Sequence, residues 1–213
     1  MSNQSHWETV YQTKDSQQVS WYQPHAALSF EWIAALPLGP LAAVIDVGGG
    51  ASRLVDELLA AGFEKLTVLD IAGAALNVAQ ARLGTRAGQV QWLQADMTAV
   101  QLPARSVDVW HDRAVFHFLT QTEQRAASRP QLQAALRPGG FCILATFALD
   151  GPEKCSGLPV CRYDVDLLQK ELGPAFVLQQ SARQMHATPF GTEQAFQFAC
   201  FRYSPTLTDQ MDT

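Results

Sequence analysis

The chain has 213 residues, of which 47% are hydrophobic and 16% charged, close to the averages of globular proteins. This composition excludes a disordered or fibrous protein, and the length suits a single domain, expected over residues 1–204. The formal net charge of −5 and the lack of any Lys or Arg cluster argue against nucleic acid as a partner, because phosphate backbones are bound by basic surfaces.

The first residues have neither the basic flank nor the apolar core of a signal peptide, and no later apolar run approaches the ~20 residues that span a bilayer. These features predict a cytoplasmic protein with no membrane partner. Four cysteines, Cys142, Cys155, Cys161 and Cys200, follow no spacing of zinc ligands. In a reducing compartment we therefore expect free thiols and no structural metal.

Residues 1–40 are predicted to form a helical cap ahead of the main fold. Within them, Ser5 and Glu8 have the spacing of a capping box, and Trp7 and Tyr11 lie one helical turn apart. A short first helix with an aromatic face is therefore expected, followed by a second helix that ends where prolines and a glycine interrupt the pattern.

From residue 41 the pattern changes to short apolar runs that alternate with amphipathic segments, which is typical of a parallel sheet covered by helices on both faces. Strands are predicted at about 42–47, 66–70, 89–94, 106–111, 140–147, 175–182 and 194–202. Helices are predicted at about 24–36, 52–61, 73–83, 121–136 and 164–172. Pro130 is expected to break or kink the helix that contains it.

The last two apolar runs flank Pro189-Phe190-Gly191, a turn signal that predicts an antiparallel hairpin. Residues 41–204 are thus predicted to form an α/β core. It is a doubly wound, Rossmann-like sheet of seven strands, mostly parallel, with the antiparallel hairpin at its C-terminal end. Residues 205–213 are expected to be a flexible tail.

The first predicted strand ends in a glycine loop that includes Gly48, Gly49 and Gly50, where the backbone can approach a ligand closely. The dinucleotide-binding pattern GxGxxG would need a third glycine where the chain has Arg53, which makes NAD or NADP the weaker interpretation. Asp46, two residues before the first glycine, would repel a pyrophosphate but suits a ligand with an ammonium group.

The motifs resemble those of the class I, seven-stranded methyltransferases that depend on S-adenosylmethionine (SAM), in particular small bacterial members. The first motif of that family, an apolar strand followed by an acidic residue and GxG, is matched by residues 44–50. Ser52 departs from the pattern, because many members carry a further glycine there. The turn before the predicted fifth strand, 136–140, also resembles the family. The resemblance implies SAM as cofactor and S-adenosylhomocysteine (SAH) as product.

The resemblance also assigns cofactor-binding residues at the ends of the second and third strands. Asp70, followed by Ile71, is similar to the acid that binds both ribose hydroxyls. Ala95-Asp96-Met97 is similar to the segment that contacts adenine through an aspartate. The alternative for Asp96 is an aspartate that only shapes a turn.

Ligands of open α/β sheets bind outside the carboxyl ends of the strands, so the exit of the fourth strand is expected to face the reacting methyl group. The catalytic candidates there are Asp112, Arg113 and His117, and the resemblance places Asp112 beside the cofactor as well. Arg113 could instead form a salt bridge with Asp112, and His117 is either a general base or a core histidine. Trp21 in the cap either closes over SAM or packs the first helices onto the sheet.

The expected reaction is transfer of the SAM methyl group to a small molecule, because the chain has no basic patch and little material beyond core, cap and edge loops. A protein lysine is the alternative, since the chain also resembles, more loosely, lysine methyltransferases that act on elongation factors. An acidic pocket near Asp112 would favour it. Weaker interpretations are a thiol or arsenite acceptor held by Cys155 and Cys161, an NAD(P) oxidoreductase, and a SAM-binding module without turnover.

Overall fold

The computed structural model describes residues 3–205, and the expected tail over 205–213 lies outside them except for its first residue. Within this range the α-helices are α1 (Asn3–Thr13), α2 (Ala27–Ala35), α3 (Leu54–Ala60), α4 (Gly73–Leu83), α5 (Thr122–Ala135) and α6 (Val165–Leu172). The strands are β1 (Ala43–Val47), β2 (Lys65–Asp70), β3 (Val90–Gln94), β4 (Val107–Arg113), β5 (Leu136–Phe147), β6 (Lys154–Cys155), β7 (Leu158–Pro159), β8 (Phe176–Ala187) and β9 (Glu193–Tyr203). None of the helices between residues 3 and 205 is long and apolar enough to cross a membrane.

The longer strands form one seven-stranded sheet in the order β3-β2-β1-β4-β5-β9-β8. The strands β1 to β5 pair in parallel, whereas β9 is antiparallel to both β5 and β8. The prediction of a mostly parallel seven-stranded sheet with an antiparallel C-terminal hairpin is confirmed. The two short strands β6 and β7 form a separate hairpin after β5.

The sheet separates two hydrophobic cores, because successive side chains of a strand point to opposite faces. In β1, Val44 lies in one core and its neighbour Ile45 in the other. The first core is covered by α2, α3 and α4, which contribute Trp32, Leu58 and Leu76. The second is covered by α5 and α6 through Leu132 and Leu168. Helices therefore cover both faces, as expected for a doubly wound fold.

Of the break or kink predicted at Pro130, the break is absent, because α5 continues through this residue. A proline in a helix removes one backbone hydrogen bond, but two other features stabilise α5. A capping box between Gln121 and Gln124 closes its first turn, and Leu132 and Ala135 are buried near its end. Burial of the apolar face thus outweighs the cost of one missing hydrogen bond.

The predicted capping box of α1 is also absent, because Ser5 lies inside the helix rather than at its start. The Glu8 carboxylate instead contacts the beginning of α4. There it accepts hydrogen bonds from the backbone N–H groups of Gly73 (2.7 Å) and Ala74 (3.1 Å). An acidic group at a helix N-terminus is favourable, since it pairs with unsatisfied N–H groups and with the helix dipole. Glu8 thereby fastens the cap to the sheet domain.

Candidate functional site

A cleft opens at the carboxyl ends of β1 to β4, where the strand order reverses between β1 and β4. It takes in about 870 Å³ when the open solvent at its mouth is included. The strand ends contribute six of the predicted cofactor-binding residues, namely Gly48, Asp70, Ile71, Ala95, Asp96 and Met97. A smaller adjoining hollow is lined by Asp46, Gly48 and Gly49.

The glycine loop after β1 leaves no room for side chains. Gly48 and Gly50 have φ angles of +66° and +22°, in the region that favours glycine. A methyl carbon added at Gly50 would lie 2.5 Å from Oδ2 of Asp70, and one added at Gly49 would collide with the carboxylate of Asp46. Gly50 lines neither hollow. Because it has no side chain, the carboxylate of Asp70 can pack directly against the backbone of the loop.

Asp46 is buried at the end of β1, with one carboxylate oxygen bonded and the other unpaired. Its Oδ1 lies 2.7 Å from Nδ1 of His111, and Nε2 of His111 lies 2.9 Å from Oγ of Ser29 in α2. Oδ2 is buried and has no hydrogen-bond partner among residues 3–205. A buried acceptor without a donor is costly, so this oxygen fits the ammonium of the methionine part of SAM.

His111 was missed as a site residue in the sequence. It lies opposite Asp46 in the parallel register of β1 and β4, which is a pairing that becomes visible only once the two strands are known to be neighbours. Because both of its ring nitrogens lie within hydrogen-bond distance of side chains, His111 links α2 of the cap to the acid beside the glycine loop.

Asp70 is buried at the end of β2, facing the cleft. Burial raises its pKa to about 7; the backbone N–H of Ala72 opposes this shift, and the nearby carboxylates of Asp46 and Glu8 add to it. Its Oδ1 accepts a hydrogen bond of 2.9 Å from Ala72. A carboxylate held in this way at the rim of the cleft is suited to accept hydrogen bonds from ribose hydroxyls.

Asp96 shapes a turn and also lines the cleft. Its Oδ1 accepts hydrogen bonds from the backbone N–H (2.8 Å) and the hydroxyl (2.7 Å) of Thr98, which shapes the turn after β3. The exposed Asp96 and the buried Met97 both line the cleft. Asp96 can therefore hold the turn and still contact a ligand.

The structure does not bring Asp112 and His117 into the cleft, although both were expected there. The fully buried carboxylate of Asp112 accepts hydrogen bonds from the backbone N–H groups of Val115 and Phe116, each at 3.0 Å. Burial raises the pKa of Asp112 to about 7 in spite of these bonds. Asp112 therefore stabilises the turn after β4 and does not contact the cleft.

His117 is a core histidine. Its ring packs against those of Phe118 (4.6 Å between centroids) and Phe147 (4.8 Å). Burial, and then the nearby Arg113, lowers the pKa of His117 to about 3, so the ring is neutral at physiological pH. A general base needs contact with the acceptor, which this position does not provide.

Arg113 lines both hollows and forms no ion pair with Asp112. Its Nη1 donates a hydrogen bond of 3.0 Å to the carbonyl of Trp21, and its guanidinium carbon lies 4.6 Å from the ring centroid of Phe196. Nε and Nη2 are buried and have no hydrogen-bond partner within the described part of the chain. Burial lowers the pKa of Arg113 to about 10, which leaves it charged at neutral pH.

The aromatic residues of the cap form the roof of the cleft. Trp7 makes edge contacts with Trp21 (5.5 Å between centroids) and with Phe118 after β4 (5.1 Å). Nε1 of Trp21 donates a hydrogen bond of 3.1 Å to the hydroxyl of Tyr11. Trp21 thus lines the cleft and also packs the cap onto the sheet, and its closure over SAM stays a prediction.

The two cysteines considered as a pair lie in different surroundings. Cys155 lines the cleft and packs in the first core, whereas Cys161 packs against the second core, where its sulfur lies 4.0 Å from Nη1 of Arg125. Burial raises the pKa of Cys155 to about 11, so its thiol is protonated. The arrangement gives no support to a thiol or arsenite acceptor held between them.

Residues 44–140 match a family model described as a methyltransferase domain. The fold is similar to that of the 1,6-didemethyltoxoflavin N1-methyltransferase of Burkholderia thailandensis, with a TM-score of 0.69 and 18% identity over 95% of this chain and 87% of that one. It is also similar to the N-methyltransferase NodS of Bradyrhizobium japonicum WM9, with a TM-score of 0.73 and 15% identity over 96% of this chain and 100% of that one. Both of those crystal structures contain SAH.

Residues 44–140 are therefore similar to a methyltransferase domain, and the chain has the fold of these two SAH-bound methyltransferases. Curated relatives include an "eEF1A lysine and N-terminal methyltransferase" of Mus musculus, 23% identical over 58% of this chain and 18% of that protein. The human protein of the same name is 25% identical over 56% of this chain and 17% of its own length. The chain thus spans less than a fifth of the length of these relatives.

Proposed function

We propose that the chain transfers the methyl group of SAM to a small organic molecule held in the cleft. The observation that carries this proposal is the aromatic roof, in which Trp7, Tyr11 and Trp21 lie across the ends of the strands and leave a cleft of about 870 Å³. A largely apolar cleft that is covered by aromatic rings suits a small molecule better than a long polypeptide or a folded surface.

The described residues divide into those that hold the cofactor and those that shape the reacting space. The unpaired Oδ2 of Asp46 binds the ammonium of the methionine part, Asp70 accepts hydrogen bonds from the ribose, and Ala95, Asp96 and Met97 border the adenine. Once bound, SAM supplies a methyl carbon activated by its sulfonium, which an acceptor lone pair attacks as the C–S bond breaks and SAH is released.

The protein contributes mainly positioning and the exclusion of water. Among the described residues that line the two hollows, the one histidine, His111, has both ring nitrogens hydrogen-bonded to side chains. A histidine base is therefore not part of the proposal. An acceptor that reacts without one, such as a neutral ring nitrogen or a group that ionises readily in water, fits the site.

A small-molecule acceptor is also supported by charge and by a structural relative. Asp112 faces the turn after β4 and not the cleft, so the end of β4 presents the cation of Arg113 there, which does not attract a lysine ammonium. The toxoflavin methyltransferase of similar fold was crystallised with 1,6-didemethyltoxoflavin, a small molecule, beside SAH.

A protein amine, on a lysine or an N-terminus, is the second candidate acceptor. It is favoured by the similarity of about half the chain to the eEF1A lysine and N-terminal methyltransferases.

The cytoplasmic location and the absence of nucleic acid partners stay predictions from the sequence, as does the single-domain organisation.

The test is transfer of radiolabel from methyl-labelled SAM to a cell extract, followed by separation by size. Label is expected in low-molecular-weight products. It should be lost with Asp70→Asn and retained with the control Asp166→Asn, an exposed position in α6. A discrete labelled protein band that depends on Asp70 in the same way would establish the second candidate instead.

A further inference from the structure

We propose that Arg82, in the last turn of α4, is a positioning residue that holds the glycine loop in the shape that receives the methionine part of SAM. This role depends on the proposed function, which places that part of the cofactor beside Asp46. Arg82 itself lines neither hollow. It contacts residues 51–52, which directly follow the three glycines of the loop.

Arg82 donates hydrogen bonds to two backbone carbonyls of this loop. Its Nη1 lies 3.0 Å from the carbonyl oxygen of Ala51, and its Nη2 lies 2.6 Å from that of Ser52. Both of these residues line the smaller hollow, which Asp46 also lines. A side chain outside the hollow therefore holds two residues of its wall in place.

The carboxylate of Asp56 in α3 fixes the orientation of the guanidinium group. Its Oδ1 accepts a hydrogen bond of 3.1 Å from Nε of Arg82, and its Oδ2 accepts one of 2.7 Å from Nη2. Two parallel bonds of this kind define the geometry of a guanidinium and a carboxylate. The two side chains are only 20% and 19% exposed, so the ion pair is partly shielded from water. Arg82 thus connects α3, α4 and the loop through one oriented group.

The loop needs support of this kind because glycines restrict the backbone less than other residues do. At the start of the loop, the N–H of Gly48 donates a hydrogen bond of 2.6 Å to the carbonyl of Leu69 in β2. Without Arg82, residues 51–52 would lose both of their hydrogen bonds to α4. A loop that is more mobile before binding must lose more conformational freedom when a ligand binds, which weakens binding.

The adenosine part of the cofactor site has separate supports. The carboxylate of Asp70 accepts a hydrogen bond from the N–H of Ala72. The carboxylate of Asp96 accepts one from the N–H of Thr98. Because the bonds of Arg82 go to the loop and to α3 and not to either of these acids, its removal should weaken binding of the methionine part far more than binding of adenosine.

SAH and 5′-methylthioadenosine test this role, because both contain the adenosine thioether and only SAH has the amino-acid part. Calorimetry should find that Arg82→Met weakens SAH binding about tenfold and 5′-methylthioadenosine binding by less than about threefold. Arg82→Lys keeps the charge without the parallel donors and should restore part of the SAH affinity. The control Arg86→Met, at an exposed position in the 3₁₀ turn after α4, should match the wild type for both ligands.

Binding of 5′-methylthioadenosine also reports that each variant is folded. Equal weakening of the two ligands by Arg82→Met, or an SAH affinity that stays at the wild-type value, would overturn the positioning role. A wild-type protein that binds both ligands equally would instead contradict the proposed placement of the methionine part beside Asp46, independently of any Arg82 variant.

Discussion

Binding of the cofactor is expected to depend on pH through Asp70. Its pKa is raised to about 7 by burial and by the neighbouring carboxylates of Asp46 and Glu8. Below that pH the group is predominantly neutral, and a neutral carboxyl group accepts fewer and weaker hydrogen bonds from ribose hydroxyls than a carboxylate does. The affinity for SAH should therefore decrease as the pH falls through 7.

The size of the effect follows from the fraction of Asp70 that is ionised. With a pKa of about 7, this fraction is roughly 0.9 at pH 8 and roughly 0.1 at pH 6. If only the ionised form binds, the dissociation constant for SAH rises about tenfold between pH 8 and pH 6, which corresponds to about 1.4 kcal/mol.

Isothermal titration calorimetry at pH 6, 7 and 8 measures this dependence directly. Asp70→Asn should bind SAH weakly and with a much smaller dependence on pH, whereas Asp166→Asn, an exposed position in α6 that does not line the cleft, should behave like the wild type. An Asp70→Asn variant that keeps the wild-type pH dependence would refute the assignment of the effect to this residue.

Three further outcomes are expected. His111→Phe should weaken SAH binding about tenfold, because Asp46 loses the partner of its 2.7 Å hydrogen bond. His111→Gln should restore part of the affinity. Calorimetry that finds the affinity of His111→Phe unchanged would contradict the role of His111 in holding Asp46. Gly50→Ala should also weaken SAH binding at least tenfold, because the new methyl group displaces the carboxylate of Asp70. Gly88→Ala should leave the affinity unchanged, because Gly88 has open space around it. Equal effects of the two substitutions would rule out the steric argument. Burial raises the pKa of Asp112 from its ordinary 3.8 to about 7 in the folded chain, so the stability linked to its protonation is present at low pH and lost as the pH rises through 7. Asp112→Asn should therefore remove about 1.4 kcal/mol of the fall in unfolding free energy between pH 6 and pH 8, measured by urea denaturation, and an unchanged fall would contradict this.

The parts of the fold set by local pattern were predictable from the sequence. The alternation of apolar runs and amphipathic segments identified the sheet. The glycine loop after Asp46 was predictable as well, because its conformation is set by glycines that are consecutive in the sequence. Strand lengths were less accessible. β8 extends to Ala187, beyond the predicted residue 182, because its second half is an exposed edge rich in polar side chains and lacks the apolar signal of a buried strand.

The long-range parts of the site were not predictable in the same way. Ser29 and His111 are 82 positions apart, and Glu8 and Gly73 are 65 apart, so each contact requires the folded cap. The orientation of Asp112 did have a signal. Adjacent residues of a strand face opposite sides, so Asp112 and Arg113 could not both point into one cleft.

A crystal structure of the protein with SAH tests the central claim most directly. SAH is expected to place its ammonium at Oδ2 of Asp46, its ribose at Asp70, and its adenine beside Asp96 and Met97 under the ring of Trp21. SAH bound elsewhere, or bound in the cleft with Oδ2 of Asp46 still unpaired, would contradict it.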